Sequence, residues 1–274
     1  MEVLARATSS ARLLAGGTDL MVEFETGRTH PDVVFDLWGV KELRYVRAEN
    51  GGLRLGSLST CRDLLDSALA REGADLLVLA ADEVGAEQIK NRATLGGNLG
   101  TASPASDLGP VLSVLRARVR LVSLRGEREV SVDDFWTGYR ATQRANDELI
   151  ESVFIPTCPR DERRGFRKVG TRRAQSISKV VVAMALRVDG GVLQGVRSAA
   201  GSVAERIVRL STLERALDGQ RPSRALVSDA TRDSARVDAR PIDDVRSTAR
   251  YRRATLQRVA EGLILDLAGI EGAH

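Results

Sequence analysis

The sequence QIKNRATLGGNLGTASPASDLGPVL, from Gln88 to Leu112, is the most informative stretch of this 274-residue chain. Its first part, 88–107, is rich in Gly, Asn, Ser, Thr and Pro and follows neither the helical nor the strand period. Ordered loops of this length in compact domains are usually functional, so we predict a functional loop here. A short helix is predicted to follow it at Leu108–Leu115.

The glycine pair Gly96-Gly97 in this stretch has a counterpart near the N-terminus, Gly16-Gly17 in AGGTDL at Ala15–Leu20. Glycine lets the backbone approach a ligand closely and turn its N–H groups to one side, where they can bind phosphate oxygens. Two such segments suit the two phosphates of a dinucleotide. Each pair could instead be only a tight turn, and Asp107 could be either a helix N-cap or a hydroxyl-binding carboxylate.

The remaining elements follow from periodicity and capping. Thr18 is predicted to cap a helix that ends before Gly27, and Thr60 with Asp63 is predicted to form a capping box. Strands are predicted at 12–15, 33–37, 53–57, 119–124, 129–132, 149–155, 180–188 and 192–200. Helices are predicted at 20–24, 60–70, 74–84, 108–115, 207–217, 223–235 and 247–267. Strands followed by helices in the second half indicate an α+β protein.

Composition and absent motifs exclude several functions. Cys61 and Cys158 lack a CxxC spacing and cannot supply a four-thiolate cluster or zinc site, so no metal site is expected. His30 and His274 are expected to be surface residues rather than general bases, and no hydrolase, Rossmann or P-loop motif occurs. We therefore expect no catalytic side chain, and chemistry carried by a cofactor.

The charge is concentrated in one segment. The net charge is +4, and the stretch Pro159–Arg173 carries seven cations against two acids. This stretch is either a solvated inter-domain segment or a contact for an anionic cofactor or acidic partner. Nucleic-acid binding is not expected, because aromatic residues make up only 4% of the chain. We place a domain boundary here, with residues 1–160 preceding a C-terminal domain of residues 161–274.

Several motifs in a fixed order resemble a known family. The motifs are AGGTDL, PDVVFDL at Pro31–Leu37, the stretch from Gln88 to Leu112, FWTGYR at Phe135–Arg140, ELIESVFIP at Glu148–Pro156, FRKVGTRR at Phe166–Arg173 and DDVRSTARYRR at Asp243–Arg253. Together they resemble the FAD-binding subunits of molybdenum hydroxylases, such as the medium subunit of carbon monoxide dehydrogenase and the FAD domain of xanthine dehydrogenase. The resemblance covers nearly the whole chain.

The resemblance implies a fold and a cofactor site. The fold has two α/β FAD-binding subdomains of the PCMH type (about 1–50 and 51–160), which hold FAD non-covalently, and a C-terminal three-stranded sheet with a helical bundle. Two backbone segments would line the pyrophosphate, and Lys168 would lie near the polar edge of the flavin. Ser103 and Asp107 would reach the ribose and ribityl hydroxyls or the adjoining backbone. The pyrophosphate segments comprise Ala15, Gly16, Gly17, Thr18, Asp19 and Leu20 on one side and Thr94, Gly96, Gly97 and Asn98 on the other. Leu149 or Ile150 would lie against the adenine or flavin ring.

The resemblance also implies a function. The chain would be the FAD-dependent component of an oxidoreductase complex, receiving electrons from [2Fe–2S] clusters in a small subunit and passing them to NAD or another acceptor. Molybdopterin would lie in a large subunit. The alternatives are a self-contained PCMH-type flavin oxidase and a flavin-free docking subunit. No signal peptide or membrane span is expected, which predicts a cytoplasmic protein. Members of the family usually begin about a dozen residues earlier, so either the N-terminal subdomain is shortened or the start codon is misassigned.

Overall fold

A computed structural model describes residues 2–5, 10–172 and 175–270. The chain divides into two compact units. The first comprises Met1–Ser103 and Arg116–Thr157, and the second comprises Pro104–Leu115 and Cys158–His274. The short segment Pro104–Leu115 thus leaves the first unit for the second and then returns. His274 and Arg173, which were named in the sequence analysis, lie outside the described residues.

The elements are as follows. The α-helices are α1 (Glu2–Ala5), α2 (Leu20–Glu25), α3 (Cys61–Asp66), α4 (Ala68–Gly73), α5 (Asp75–Asp82), α6 (Glu87–Lys90), α7 (Leu95–Thr101), α8 (Leu108–Val114), α9 (Val132–Phe135), α10 (Ser211–Leu217), α11 (Arg224–Val237) and α12 (Ala249–Ala268), with a 3-10 turn at Lys41–Leu43. The strands are β1 (Arg12–Leu14), β2 (Val34–Asp36), β3 (Val46–Glu49), β4 (Gly52–Gly56), β5 (Arg118–Ser123), β6 (Gly126–Ser131), β7 (Trp136–Gly138), β8 (Ala141–Thr142), β9 (Leu149–Pro156), β10 (Arg163–Val169), β11 (Val180–Asp189), β12 (Val192–Gly201) and β13 (Val208–Arg209).

The first unit contains a parallel strand pair and a larger sheet. Strands β1 and β2 are parallel, with Leu14 opposite Asp36. The larger sheet is antiparallel and has the order β3-β4-β9-β5-β6. Its central strands bury Leu55, Val119 and Val153 completely. Burial of these aliphatic side chains from water is the main force that stabilises the sheet.

The helices α3 to α5 show how capping divides the chain. Thr60 and Asp63 form the predicted capping box, in which each side chain accepts a hydrogen bond from the other residue's backbone N–H. The single helix predicted through Ala70 is wrong, because Ser67 leaves the helical conformation and caps a second helix, α4, by accepting from the N–H of Ala70.

The second unit is an antiparallel sheet covered by helices. Its strands have the order β10-β11-β12-β13, in which β13 is only two residues long. Strand β11 reads VVVAMALRVD and its first seven residues are buried, as expected of a strand covered on both faces. Helices α10, α11 and α12 contribute Leu213, Val227 and Ile264 to its core. The predicted α+β class is therefore confirmed.

One sequence prediction about a loop is wrong. The stretch 88–107 is not a single long loop, because α7 and most of α6 lie within it. Helix α7 contains three glycines, and only the buried Leu95 and Leu99, four positions apart, mark its apolar face. Two apolar residues are too few to show a helical period in the sequence. The basic stretch that begins at Pro159 contains strand β10, which pairs with β11 over its whole length.

Among the described residues, no helix has both the length and the apolar composition that crossing a membrane requires.

Candidate functional site

The first glycine segment connects strand β1 to helix α2. Gly17 has a φ of +79°, a left-handed conformation that glycine adopts without strain. Asp19, and not the predicted Thr18, occupies the N-cap position of α2, and it makes no side-chain cap hydrogen bond. The chain therefore turns sharply from strand to helix with little side-chain bulk at the turn.

The backbone N–H groups of this turn are available to a ligand. Within the described part of the chain, the N–H groups of Gly16, Gly17 and Thr18 donate to no protein acceptor, and the first helical bond joins the N–H of Met21 to the carbonyl of Gly17 at 3.2 Å. Adjacent N–H groups at a strand-to-helix turn can bind an anion. The first segment thus has the donors predicted for a phosphate cradle.

The second glycine segment, at the start of α7, is built differently. The N–H of Gly96 donates to the carbonyl of Ser57 at 2.7 Å, and the N–H of Gly97 donates to the Oγ1 of Thr94 at 3.1 Å. The N–H of Asn98 donates to the carbonyl of Thr94 at 2.9 Å. The expectation of a second set of available N–H groups is therefore wrong, because these groups cap α7 and fasten it to the loop after β4.

Packing explains why both residues of the second pair are glycine. A Cβ on Gly96 would lie 2.6 Å from the Cβ of Ser57, which is too close for any side chain. A Cβ on Gly97 would meet the Oγ1 of Thr94 at 2.8 Å and the Cβ of Ala15 at 3.9 Å. Gly97 thus presents bare backbone toward the first segment, and Gly96 lets α7 approach its neighbour.

The structure brings the two segments into contact. A Cβ on Gly16 would lie 1.7 Å from the carbonyl oxygen of Arg92, so the two backbones meet where only glycine fits. The Nε of Arg92 donates to the carbonyl of Gly16 at 3.1 Å, and its guanidinium lies 3.7 Å from the ring centre of Trp38. The predicted adjacency of two segments that are distant in the sequence is confirmed.

The predicted apolar side chains lie near the second segment. Leu149 and Ile150 begin strand β9, and Ile150 is buried. A Cβ on Gly100, in α7, would lie 3.6 Å from the Cδ1 of Ile150. Ser103 is half-buried and lies just after Ala102, whose φ of +48° ends α7 in a left-handed turn.

Asp107 and Lys168 belong to the second unit and bind each other there. The Nζ of Lys168 donates to one carboxylate oxygen of Asp107 at 2.6 Å, and the hydroxyl of Ser178 donates to the other at 2.5 Å. Asp107 stands at the N-cap position of α8, but its side chain makes no cap hydrogen bond. The carboxylate thus binds Lys168 and Ser178 and does not cap the helix, while its predicted contact with a cofactor hydroxyl stays a prediction.

Sequence reasoning missed two arginines that shape the first segment. Arg92 joins it to the second segment, and Arg140 reaches it from the turn between β7 and β8. Both arginines lie within motifs of the sequence, QIKNR and FWTGYR. A motif does not indicate, however, which residue its arginine contacts in the folded protein. No cluster of three or more His, Cys, Asp or Glu side chains suited to a metal occurs among the described residues.

Comparison with known proteins decides the family. Residues 1–158 match the model of the FAD binding domain in molybdopterin dehydrogenase, and residues 165–267 match that of the CO dehydrogenase flavoprotein C-terminal domain. The chain belongs to the family of FAD-binding medium subunits of molybdenum hydroxylases. Members of this family are components of oxidoreductases, and their cofactor in this subunit is FAD.

Relatives and solved structures agree with this assignment over nearly the full length. The nicotinate dehydrogenase FAD-subunit of Eubacterium barkeri is 32% identical over 260 residues, which are 93% of this chain and 87% of that protein. The xanthine dehydrogenase FAD-binding subunit of Escherichia coli O157:H7 is 27% identical, covering 96% of this chain and 90% of that protein. A carbon monoxide dehydrogenase structure from Hydrogenophaga pseudoflava superposes with a TM-score of 0.93 and 26% identity, covering 98% of this chain and 92% of the other.

The residues present at the glycine segments fit FAD. A diphosphate needs donors and space for two anionic groups, and the first segment supplies N–H groups while Gly97 leaves room beside them. Ile150, next to α7, supplies apolar surface of the kind that aromatic rings contact. The structure thus combines donors and apolar surface within one unit.

Proposed function

We propose that this chain binds the diphosphate of FAD at its paired glycine segments and works as the electron-transfer subunit of a molybdenum hydroxylase complex. The observation that carries the proposal is the contact of Gly16 with the Arg92 carbonyl, beside three backbone N–H groups that no protein acceptor uses in the described residues. Only glycine fits at position 16, and this close approach of two backbone segments would let both of them contact the same ligand.

The chain's own residues contribute binding and orientation. The N–H groups of Gly16, Gly17 and Thr18 would donate to the phosphate oxygens, while Gly97 would form the opposite wall without adding a side chain. Leu149 or Ile150 would contact the adenine or flavin ring. The roles predicted for Asn98, Ser103, Asp107 and Lys168 stay predictions. FAD, when bound, supplies redox chemistry that accepts electrons singly and delivers them in pairs.

The partners follow from the family. We infer that a small subunit with [2Fe–2S] clusters delivers electrons to this chain and that a large subunit holds molybdopterin and the substrate. The electron acceptor is proposed to be NAD or another small acceptor. Two relatives are called FAD subunits of a nicotinate and a xanthine dehydrogenase, which supports a subunit role over a self-contained oxidase.

The proposal is tested by purifying the chain and measuring its flavin. We expect a yellow protein, or a colourless one that takes up one FAD per chain when incubated with it. A chain that cannot be reconstituted with FAD would overturn the proposal. Co-expression with the two partner subunits, followed by assay of NAD reduction, tests the acceptor: reduction of another acceptor but not NAD would remove NAD from the proposal.

A further inference from the structure

Helix α2, which follows the first glycine segment, is weakly anchored by its own packing. None of its residues is buried, and Met21 is 52% exposed. Its N-cap residue, Asp19, makes no side-chain cap hydrogen bond. A short helix without a buried face gains little stability from packing, so other contacts must fix its position.

Arg140 supplies such a contact from a distant part of the sequence. Its Nη1 donates to the Oδ2 of Asp19 at 3.3 Å and forms a closer ion pair with Glu23. Arg140 holds a left-handed backbone conformation, with a φ of +50°, between β7 and β8. A left-handed φ is uncommon for a residue with a long side chain and persists only where surrounding structure stabilises it.

The carboxylates of Asp19 and Glu23 lie close to the segment that we propose binds an anion. Asp19 lies two residues after Gly17, and Glu23 lies one helical turn later on α2. A diphosphate bound at the preceding N–H groups would be repelled by two uncompensated negative charges so close in the chain. Among the described residues, Arg140 contacts both carboxylates and Arg92 contacts the carbonyl of Gly16.

We propose that Arg140 is a positioning residue for FAD, which neutralises Asp19 and Glu23 and so allows the first glycine segment to accept an anionic diphosphate. This inference rests on the proposed function. It reassigns Asp19, which the sequence places among the FAD-binding residues: the carboxylate pairs with an arginine that holds the segment. Arg140 acts through these two carboxylates, and its effect on FAD is electrostatic.

The test compares FAD affinity in variants of the full chain at two salt concentrations. Flavin fluorescence is titrated at about 0.1 M and about 1 M salt, between which the Debye length falls from about 10 Å to about 3 Å. Arg140→Met is expected to weaken binding about tenfold at the lower salt, as one or two unpaired charges near a phosphate would do. The ratio to wild type should fall toward one at the higher salt. Arg140→Lys, which keeps the charge, should bind nearly as wild type does.

A rescue variant separates the charge effect from a structural one. Arg140→Met combined with Asp19→Asn and Glu23→Gln removes all three charges, and its FAD affinity should return close to that of wild type. Arg125→Met, which breaks the exposed ion pair of Arg125 with Asp147 in the same unit, is the matched control and should leave affinity unchanged.

The outcomes distinguish the inference from the proposed function. Unchanged affinity in Arg140→Met, or a loss that neither salt nor the rescue variant reverses, would overturn the inference while leaving FAD binding intact. Failure of the wild-type chain to bind FAD would overturn the proposed function and this inference with it.

Discussion

Replacement of Gly16 by alanine tests the close contact on which the proposed site depends. The added Cβ would lie 1.7 Å from the carbonyl oxygen and 2.6 Å from the carbonyl carbon of Arg92. A Cβ essentially never lies within 3.0 Å of another heavy atom, so the two backbones must separate by about 1.3 Å or more. The overlapping atoms of Arg92 belong to its backbone, so rotation of a side chain cannot relieve the overlap.

The expected magnitude follows from this displacement. Overpacking of this kind costs about 1–3 kcal/mol of folding stability. If the shift costs one charge-assisted hydrogen bond to phosphate, worth about 1.5–3 kcal/mol, FAD affinity should fall by about 10- to 100-fold. Stability is measured by urea denaturation and affinity by titration of flavin fluorescence.

The matched control for this variant is Gly39→Ala. A Cβ on Gly39 meets no atom within 4 Å, so stability and FAD affinity should both be close to those of wild type. Full flavin content in Gly16→Ala would refute the reasoning, because it would show that FAD does not depend on the juxtaposition of the two segments.

Three further predictions concern stability, each measured by chemical denaturation followed by circular dichroism. Gly262→Ala, in the interior of α12 where a Cβ meets nothing, should stabilise the protein by about 0.5–1 kcal/mol, and any destabilisation would contradict the open space seen there. Arg54→Met should cost about 3–5 kcal/mol, because Arg54 is buried and paired with Glu49 at 2.5 Å. Since the hydrogen bond from Arg54 lowers the pKa of Glu49, the part of this stability that depends on ionised Glu49 is fully present above about pH 4.3, the ordinary value for Glu, and is lost as the pH falls through the lowered pKa. Wild type should therefore lose more stability than Arg54→Met between pH 7 and pH 3, and parallel pH profiles would contradict this. Lys168→Met should cost about 3 kcal/mol by leaving the carboxylate of Asp107 without its cation, and Asp107→Asn in the same chain should recover part of the loss, whereas strictly additive losses would show that the pair is not coupled.

Much of the fold could be predicted because its signals are local. Strands β11 and β12 are long apolar runs separated by the turn at Gly190 and Gly191, both of which have positive φ. The capping box of Thr60 and Asp63 involves residues only three positions apart. Signals of this kind are complete within a short window of sequence.

Other elements depend on partners that are distant in the chain. Helix α7 has too many glycines to show a period, and it is fastened by the bond from Gly96 to Ser57, which only the folded chain brings together. Segment Pro104–Leu115 joins the second unit although both of its sequence neighbours belong to the first. No pattern within a short stretch of sequence indicates that a segment belongs to a different unit from its sequence neighbours.

The candidate site also has features that the sequence predicts and features that depend on contacts between distant residues. The two glycine pairs could be found from the sequence because glycine is chosen at both for backbone reasons. The difference between them could not be found: the N–H groups of Gly16 and Gly17 donate to no acceptor among the described residues, while those of Gly96 and Gly97 donate to acceptors within the protein. The ion pair of Arg140 with Asp19 was missed because the two residues come from separate motifs.

The position of the diphosphate in a crystal structure of this chain with FAD would test the central claim most directly. We expect phosphate oxygens within about 3 Å of the backbone nitrogens of Gly16, Gly17 and Thr18, with Gly97 facing them from the other side. A diphosphate bound elsewhere, with those three N–H groups open to solvent, would contradict the account.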